Sequence, residues 1–316
     1  MDFVILIALA ICALLFFVTC FVSYSLTFKN TKKNKDDPFS EVTLAAFGKY
    51  REHTNELIHQ LLETPFEDVY IKSGDGVRLH GRYYHYADGA PFEIQLHGYR
   101  GHALRDFCSG ARDAKNRRHN LLLIDQRAHG KSDGKAISFG IKESHDCIEW
   151  VKYLTDRFGD GIKIVLIGMS MGAATVLMAS GLDLPDNVKG VMADCPYSSP
   201  KEIIKKVISE DFSLPASLLF PFVRLGGIIF GGFDIEESSP AEAVKKSKTP
   251  TLLIHGAADS FVPAQMSERI FDVCAAEQKR RLVIPDADHG LSYFTDKDTY
   301  LGAVDEFMNL IGIDGQ

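Results

Sequence analysis

One serine in this sequence lies in the pattern that covalent acyl transfer requires. Ser170 is the centre of Gly168-Met169-Ser170-Met171-Gly172, between an apolar run that predicts a strand and an alanine-rich run that predicts a helix. A sharp strand-to-helix turn strains the backbone of the central serine, so small residues are needed on both sides. Gly168 and Gly172 meet this need and would present Ser170 Oγ at the top of the sheet. The alternative is a glycine-rich turn without chemistry, since the motif alone is a weak signal.

A serine hydroxyl is a poor nucleophile unless a base takes its proton and an acid orients that base. For a nucleophile on such a turn, the acid and then the histidine follow the serine along the chain. The histidines that follow Ser170 are His255 and His289. His289 lies in a polar loop after a predicted strand, where a general base is mobile and reachable. His255 ends a strand and is expected to fill space or bond the backbone, so His289 is the predicted base.

The orienting acid is expected in the loop after the preceding strand, where Asp259 lies four residues after His255. Asp194, at the end of an earlier strand, is the alternative acid. Asp286 and Asp288 precede the predicted base but are expected to be loop carboxylates exposed to water. Asp259 is therefore the predicted third member of the site.

A tetrahedral intermediate also needs two backbone N–H groups directed at its oxyanion. We expect one from Met171, directly after the nucleophile, and one from Tyr99, in the loop after the strand Phe92–Leu96. His97 and His102 of that loop have no third ligand at a useful spacing, so no metal site is predicted. The six cysteines form no CxxC pair and predict neither a zinc site nor a redox motif.

Strands and helices alternate from about Phe66 onward, which predicts a mostly parallel sheet covered on both faces. The turn 73–76, Ser-Gly-Asp-Gly, predicts a leading hairpin. The charged turn Asp125–Ser132 is expected to brace the loops over the sheet rather than to touch substrate. Predicted strands are Val69–Lys72, Val77–Tyr84, Phe92–Leu96, Leu121–Asp125, Ile162–Ile167, Val188–Ala193, Thr251–Ile254 and Arg281–Ile284; predicted helices are Ala103–Asn116, Lys142–Phe158, one from Ser170, Ala264–Ala276 and Asp298–Ile311.

The alternation breaks at about 197–240, in a stretch rich in Phe, Leu and Ile and interrupted by prolines and glycines. An insert this apolar must pack its side chains against another part of the protein. It is expected to form a lid over a substrate pocket, because it follows the carboxyl end of a strand. A helical insert that completes the core is the alternative.

The N-terminal stretch Phe3–Phe28 contains no Asp, Glu, Lys, Arg or His. As a helix it exceeds the hydrocarbon core of about 30 Å. Asp2 before the run, its length and the lack of a clear cleavage site favour an uncleaved anchor over a signal peptide. The lysines that follow, at 29, 32, 33 and 35, favour a cytoplasmic catalytic domain. The predicted organisation is an anchor over 1–28, a basic linker and amphipathic helix over 29–65, and a catalytic domain over 66–316.

The amphipathic helix is predicted over about Glu41–Glu63, and it could pack on the domain or lie along the bilayer. The whole chain has 35 Lys and Arg against 42 Asp and Glu, a net charge of −7. Nucleic acid is therefore not an expected partner, because phosphate contacts need clustered basic residues. No GxxxxGK[ST] or dinucleotide-type glycine turn is present, which disfavours phosphoryl and hydride transfer.

Taken together, these residues resemble the α/β-hydrolase superfamily. His97-Gly98, the Asp125–Ser132 turn, Gly168–Gly172, Asp259 and His289 appear in its order, and the likeness covers about Phe66 to Ile313. Asp194-Cys195-Pro196-Tyr197 and His289-Gly290-Leu291-Ser292-Tyr293 are similar to the serine aminopeptidase/monoacylglycerol lipase-like branch, particularly its bacterial membrane-anchored YqkD-type hydrolases. One departure is Tyr99-Arg100-Gly101-His102, where some relatives have smaller residues.

The resemblance implies an eight-stranded, mostly parallel sheet with helices on both faces, a short helical cap and no cofactor. It implies no particular substrate, because the fold hosts many chemistries. The leading hypothesis is a membrane-tethered serine hydrolase acting on an acyl ester or thioester, with a small-molecule or lipid-like acyl substrate. The alternatives are a serine aminopeptidase-like peptidase and a catalytically silent binding module.

Overall fold

The computed structural model describes residues 2–30, 37–39 and 45–313. The lysines at 32, 33 and 35 and the start of the helix predicted from Glu41 lie outside the described residues.

A twisted eight-stranded sheet forms the centre of the molecule. Its strands β1 to β8 are Glu67–Lys72, Arg78–Tyr84, Phe92–Leu96, Asn120–Asp125, Ile164–Met169, Val188–Asp194, Thr251–Gly256 and Lys279–Ile284. They lie in the order β1-β2-β4-β3-β5-β6-β7-β8. The leading hairpin and the β2–β4 pair are antiparallel, and the remaining pairs are parallel. The sequence-based prediction of an α/β-hydrolase fold with a mostly parallel sheet is confirmed.

Helices lie on both sides of this sheet. In the described residues, α1 to α12 are Asp2–Phe28, Arg51–Glu63, Ala103–Asp106, Cys108–Asn116, Glu143–Phe158, Met171–Ser180, Pro200–Lys206, Ala216–Gly226, Pro240–Ala243, Gln265–Val273, Ser292–Thr295 and Lys297–Leu310. The helix predicted over Ala103–Asn116 is broken at Phe107 into α3 and α4, so that prediction was wrong at its centre. β3 is buried along its whole length because helices cover both of its faces.

The two faces of the sheet have separate apolar cores. On one face, Trp150 and Leu154 of α5 pack with the inward residues of β3, β4 and β5. On the other face, Phe307 and Met308 of α12 pack with Leu121, other strand residues and α4. Strands buried on both sides must be apolar throughout, which explains the unbroken hydrophobic runs.

The helix after the linker packs on the catalytic domain. Its regular part is Arg51–Glu63, preceded by a 3₁₀ turn at Ala45–Tyr50, so the described part of the predicted helix is α-helical only from Arg51. Leu57 and Ile58 are buried against Cys108 of α4. Of the two placements considered for it, packing on the domain is the one observed.

The insert after β6 is a cap made of two helices, each of which ends in a π-helical turn. α7 runs into the turn Val207–Asp211, and α8 runs into the turn Gly227–Gly231. Phe220 and Val223 of α8 point inward, into the same apolar cluster as Met171, the residue after Ser170. The cap therefore covers the side of the sheet on which the predicted nucleophile lies.

α1 is long and apolar enough to cross a bilayer, and most of it is exposed. Its last turns nevertheless lie inside the catalytic domain, where Cys20, Tyr24 and Phe28 are buried. The Phe28 ring makes edge contacts with Phe139 and Phe233, with centroids 6.0 and 5.1 Å away. The end of the helix is thus part of the core beneath the cap.

Truncating Phe28 should therefore destabilise the catalytic domain. A buried Phe→Ala change costs about 3–5 kcal/mol of the free energy of unfolding. We expect Phe28→Ala to lower the thermal unfolding midpoint of the detergent-solubilised full chain. The matched control is Phe17→Ala on the same helix, because Phe17 is 51% exposed and should leave the midpoint unchanged. Equal midpoints for both variants would contradict this packing.

Candidate active site

Ser170 lies in the sharp turn between β5 and α6. Its backbone has φ 55° and ψ −114°, a strained conformation for a residue with a side chain. The turn is tight because α6 approaches β3 closely: a Cβ on Gly172 would lie 1.9 Å from the Leu96 carbonyl oxygen. A Cβ on Gly168 would lie 2.2 Å from the Gly172 carbonyl oxygen. Glycine is therefore required at both positions.

The structure brings Ser170, His289 and Asp259 into one hydrogen-bonded line. His289 Nε2 is 2.9 Å from Ser170 Oγ, and His289 Nδ1 is 2.7 Å from Asp259 Oδ2. Each residue comes from a loop or turn at the carboxyl end of a parallel strand: Ser170 follows β5, Asp259 follows β7 and His289 follows β8. The geometry allows His289 to accept a proton from the serine hydroxyl while its other nitrogen donates to the carboxylate.

Asp259 is fixed and kept ionised by its surroundings. Burial alone would raise its pKa, but hydrogen bonds with His255 and His289 outweigh that effect and lower the pKa to about 2. Its second oxygen, Oδ1, accepts the N–H groups of Phe261 and Val262 at 3.0 and 2.7 Å. An anion held in this way fixes the orientation of the imidazole and favours its positive charge.

The other candidate groups near this line have different positions. His255 is fully buried and its Nε2 lies 2.8 Å from the Val262 carbonyl, so it bonds the backbone as predicted. Asp286 is exposed, as predicted. Asp288 is not simply a solvent-exposed carboxylate: its Oδ1 accepts hydrogen bonds from Ser260 and from the His289 N–H, which closes the loop that holds the imidazole.

Asp194, the alternative acid, lies behind the site rather than in the hydrogen-bonded line. Its backbone carbonyl accepts the Ser170 N–H at 2.8 Å, so the residue helps to hold the turn. Its carboxylate is buried, and burial raises its pKa to about 6 against the opposing charges of His255 and His289. Its Oδ1 has no hydrogen-bond partner among the described side chains.

The loop after β3 lies directly beside the serine. A Cβ on Gly98 would be 3.4 Å from Ser170 Cβ, so the loop that contains Tyr99 packs against the serine. Asp106 holds this loop, because its carboxylate accepts the Gly98 N–H at 2.9 Å. Met171 is the first residue of α6, and the first N–H groups of a helix have no intrahelical acceptor.

The Tyr99 loop is also bonded to the end of α1. The Tyr99 hydroxyl donates to the Thr27 carbonyl at 2.6 Å, and the Arg100 guanidinium donates to the Leu26 and Lys29 carbonyls at 2.7 and 2.8 Å. These are carbonyls at the C-terminal end of the helix, where a cation is favoured. The side chains that depart from some relatives thus connect the loop beside Ser170 to the N-terminal helix.

The two histidines of this loop serve its structure. His97 is fully buried, and its two nitrogens lie within hydrogen-bonding distance of the Gly98 carbonyl and the Gln126 N–H. His102 accepts the Leu104 N–H and begins α3.

The Asp125–Ser132 turn braces the loops over the sheet. Arg127 makes a buried ion pair with Asp146, at 2.6 Å, and also bonds Asp75 in the hairpin turn. Asp125 bonds the buried His80, at 2.7 Å. These contacts join the turn to other segments of the protein, and none of them involves Ser170 or His289.

Sequence reasoning missed two residues at this site. Cys195 has a left-handed φ of 48° and places its Sγ 4.0 Å from His289 Nε2. Asp106, which holds the Gly98 N–H, was not singled out either. Asp106 lies in none of the motifs, and the motif that contains Cys195 does not show its contact with His289, because each residue acts through a contact between segments distant in sequence. A cysteine directly after the strand that ends in Asp194 was the one available signal.

Apolar side chains pack between this site and the cap. Met171, Tyr197 and Phe139 belong to one buried cluster with residues of the cap, and Tyr99 packs against it. Phe261 lies over the edge of the His289 ring, with centroids 5.1 Å apart. The surroundings fit an apolar group better than a charged one.

Comparisons with protein families place these residues in two matches. Residues 94–222 match the family described as alpha/beta hydrolase fold. Residues 229–310 match the family described as prolyl oligopeptidase. Ser170 lies in the first match, and Asp259 and His289 lie in the second.

Individual relatives agree with those matches. The uncharacterized protein YqkD of Bacillus subtilis is 30% identical over 60% of this chain, and the aligned region spans 62% of that protein's length. Protein bem46 of Schizosaccharomyces pombe is 26% identical over 58% of this chain and 54% of its own length. Among solved structures, the esterase Pf2001 of Pyrococcus furiosus has a TM-score of 0.63 and 25% identity, covering 79% of this chain and 94% of that chain.

The buried carboxylate of Asp194 gives a pH-dependent prediction. Its pKa is raised to about 6, so the folded state holds its proton more tightly than the unfolded chain does. The protonated Asp194 carboxyl therefore makes its full contribution to the free energy of unfolding below the unfolded pKa of about 3.9. This contribution declines as the pH rises through about 6. The amide side chain in the variant Asp194→Asn does not titrate. The free energy of unfolding of this variant should therefore gain about 2–3 kcal/mol relative to the parent between about pH 4 and pH 8.

Thermal unfolding midpoints of both proteins across that pH range measure this difference. Asp183→Asn is the matched control, because Asp183 is exposed and its substitution should leave the pH profile unchanged. A parallel profile for the parent and Asp194→Asn would show that Asp194 does not titrate as described.

Proposed function

The chain belongs to the α/β-hydrolase superfamily, of the YqkD type, and on that premise we propose that it is a membrane-anchored serine hydrolase that cleaves an acyl ester or thioester. The observation that carries the proposal is the hydrogen-bonded line from Ser170 Oγ through His289 to Asp259. The likeness to the Pyrococcus furiosus esterase, at 25% identity, supports ester cleavage.

In the proposed reaction, His289 Nε2 takes the Ser170 proton as Oγ attacks the acyl carbon. The negative charge on the acyl oxygen is then stabilised by the N–H groups of Met171 and Tyr99. When the tetrahedral intermediate collapses, His289 returns the proton to the leaving alcohol or thiol, and the acyl group remains on Ser170. Water, deprotonated by His289, attacks this acyl-enzyme, releases the acid and restores the serine hydroxyl.

Apolar surroundings support an acyl group with a hydrocarbon chain. Phe220 and Val223 line the inner side of the cap, in the cluster that includes Met171. Burial of hydrocarbon yields about 0.8 kcal/mol per CH₂, so affinity should rise with chain length until the cluster is filled.

The membrane part of the proposal is supported by α1 and by the residues that follow it. The span Phe3–Phe28 has 26 residues and no charged side chain, and its last turns are buried in the domain. Removal of α1 as a signal sequence would expose that surface. Lysines at 29, 32, 33 and 35 favour a cytoplasmic catalytic domain.

A peptidase is the second candidate, supported by the match of residues 229–310 to the prolyl oligopeptidase family. Parallel assays of p-nitrophenyl esters and amino-acyl p-nitroanilides separate the two activities. Faster turnover of the anilides would favour the peptidase, and no turnover of either by a folded protein would favour a silent binding module.

Replacing the nucleophile should abolish ester turnover without unfolding the protein. We expect Ser170→Ala to lower kcat by at least about a thousandfold, because removal of a nucleophile leaves little besides binding and oxyanion stabilisation. Ser180→Ala, in the same helix α6, is the control and should retain activity. Substantial p-nitrophenyl ester turnover by Ser170→Ala would eliminate Ser170 as the nucleophile.

Replacing the acid should affect the rate mainly through kcat. Asp259→Asn keeps the shape but loses the charge that orients the imidazole, and the expected fall in kcat is about 10⁴-fold. Asp194→Asn, the comparison variant, should change kcat little, because Asp194 is outside the hydrogen-bonded line. The opposite ranking of the two variants would assign the acid role to Asp194.

A further inference from the structure

The cap packs lengthwise against α1. Phe16 of α1 lies 5.8 Å, centroid to centroid, from Phe222 of α8. Farther along α1, Phe21 and Tyr24 lie 5.3 and 5.7 Å from Phe230, in the turn after α8. Contacts therefore extend from Phe16 to the end of the helix.

The glycine at the end of α8 makes this approach possible. A Cβ on Gly226 would lie 2.5 Å from the Cys20 carbonyl oxygen and 3.0 Å from Tyr24 Cβ. Backbones this close form a fixed helix–helix contact, since a larger residue would push them apart. The cap and α1 therefore hold a fixed position relative to each other.

The length of α1 determines where the cap lies relative to a bilayer. The part of α1 before the first cap contact is Asp2–Leu15. At about 1.5 Å per residue it is about 21 Å long, which is shorter than a hydrocarbon core of about 30 Å. If α1 crosses the bilayer, the part beside the cap must also lie in hydrocarbon, and the cap must enter with it.

The surface of the cap next to α1 has the composition that this placement requires. Six large apolar residues of the cap are exposed and define the apolar cap face: Phe212, Leu214, Leu218, Ile228, Ile229 and Phe230. Phe212 is 67% exposed and Leu218 is 63% exposed. Large apolar side chains exposed in one segment of this kind mark an interaction site.

Charge is nearly absent from this segment. Between Phe212 and Phe233 the sequence contains one charged residue, Arg224. Arg224 is neutralised by Asp234 at 2.7 Å and Glu236 at 2.6 Å, both beyond the apolar segment. A surface that faces water normally carries more charged residues than this segment does.

Basic residues lie at the borders of the apolar surface. Lys29, directly after α1, places its ammonium 4.7 Å from the Phe21 ring. Lys205 of α7 places its ammonium 5.1 Å from the Phe220 ring. A lysine directly after an apolar helix, as Lys29 is, suits the headgroup level of a membrane.

We propose that the apolar cap face is inserted in the hydrocarbon of the bilayer leaflet on the side of the catalytic domain. The partner of the apolar cap face is then the lipid itself. The proposal deepens the function proposed above and rests on α1 being a membrane anchor. Only the thickness of α8 then separates lipid from Phe220 and Val223, which line the inner side of the cap. An apolar acyl substrate dissolved in the membrane would have a short path to Ser170.

Tryptophan quenching by brominated lipids tests the depth of the cap directly. The full chain is reconstituted in phosphatidylcholine vesicles, with or without bromine atoms on the acyl chains. Three variants carry a new tryptophan: Leu218→Trp on the apolar cap face, Phe17→Trp on exposed α1, and Asp160→Trp on the exposed loop before β5. The native Trp150 is fully buried, and its signal is subtracted using the parent chain.

We expect the brominated vesicles to quench Leu218→Trp to a degree similar to Phe17→Trp, and to leave Asp160→Trp unquenched. Quenching of Phe17→Trp without quenching of Leu218→Trp would overturn the inference while the anchor stands, and concentration-dependent crosslinking would then identify a second copy on this face. Absence of quenching at Phe17 would overturn the anchor and the inference together. Ile229→Trp serves as a second position on the same face if Leu218→Trp does not fold.

Discussion

The close approach of α6 to β3 is the constraint on which the rest of the site depends. It leaves no room for a side chain on Gly172, where a Cβ would lie 1.9 Å from the Leu96 carbonyl oxygen. The chain can turn from β5 into α6 at this distance only with the strained backbone of Ser170. Strain of this kind persists where the surrounding structure fixes the backbone. Here the turn directs the serine hydroxyl toward His289, and it places the first N–H groups of α6 where they could bind an oxyanion.

Around that turn, parts of the chain distant in sequence support one another. Asp106 holds the Gly98 loop, Asp288 closes the loop of His289, and Asp259 is held by backbone N–H groups. The end of α1 extends this support, because Tyr99 and Arg100 bind its terminal carbonyls. The helix that would anchor the chain is therefore also a structural neighbour of the site. This arrangement connects α1, the cap and the proposed oxyanion loop in one packed unit.

Much of the fold and the candidate site could be predicted from the sequence, because strand and helix periodicities are local and the Gly168–Gly172 motif has one structural meaning in that context. The break at Phe107 and the late start of α2 could not, since packing decides them. Cys195 beside His289, the bracing role of Asp288 and the burial of Phe28 depend on contacts between distant segments. No periodicity records such contacts.

The central claim is that Ser170 is an activated nucleophile in the intact chain. The most direct measurement is to treat the full-length protein in vesicles with a fluorophosphonate and to map the modified residue by peptide mass spectrometry. Our account predicts one adduct, on Ser170, which is lost when the protein is unfolded before treatment. A folded protein that acquires no adduct, or an adduct on another serine, would contradict it.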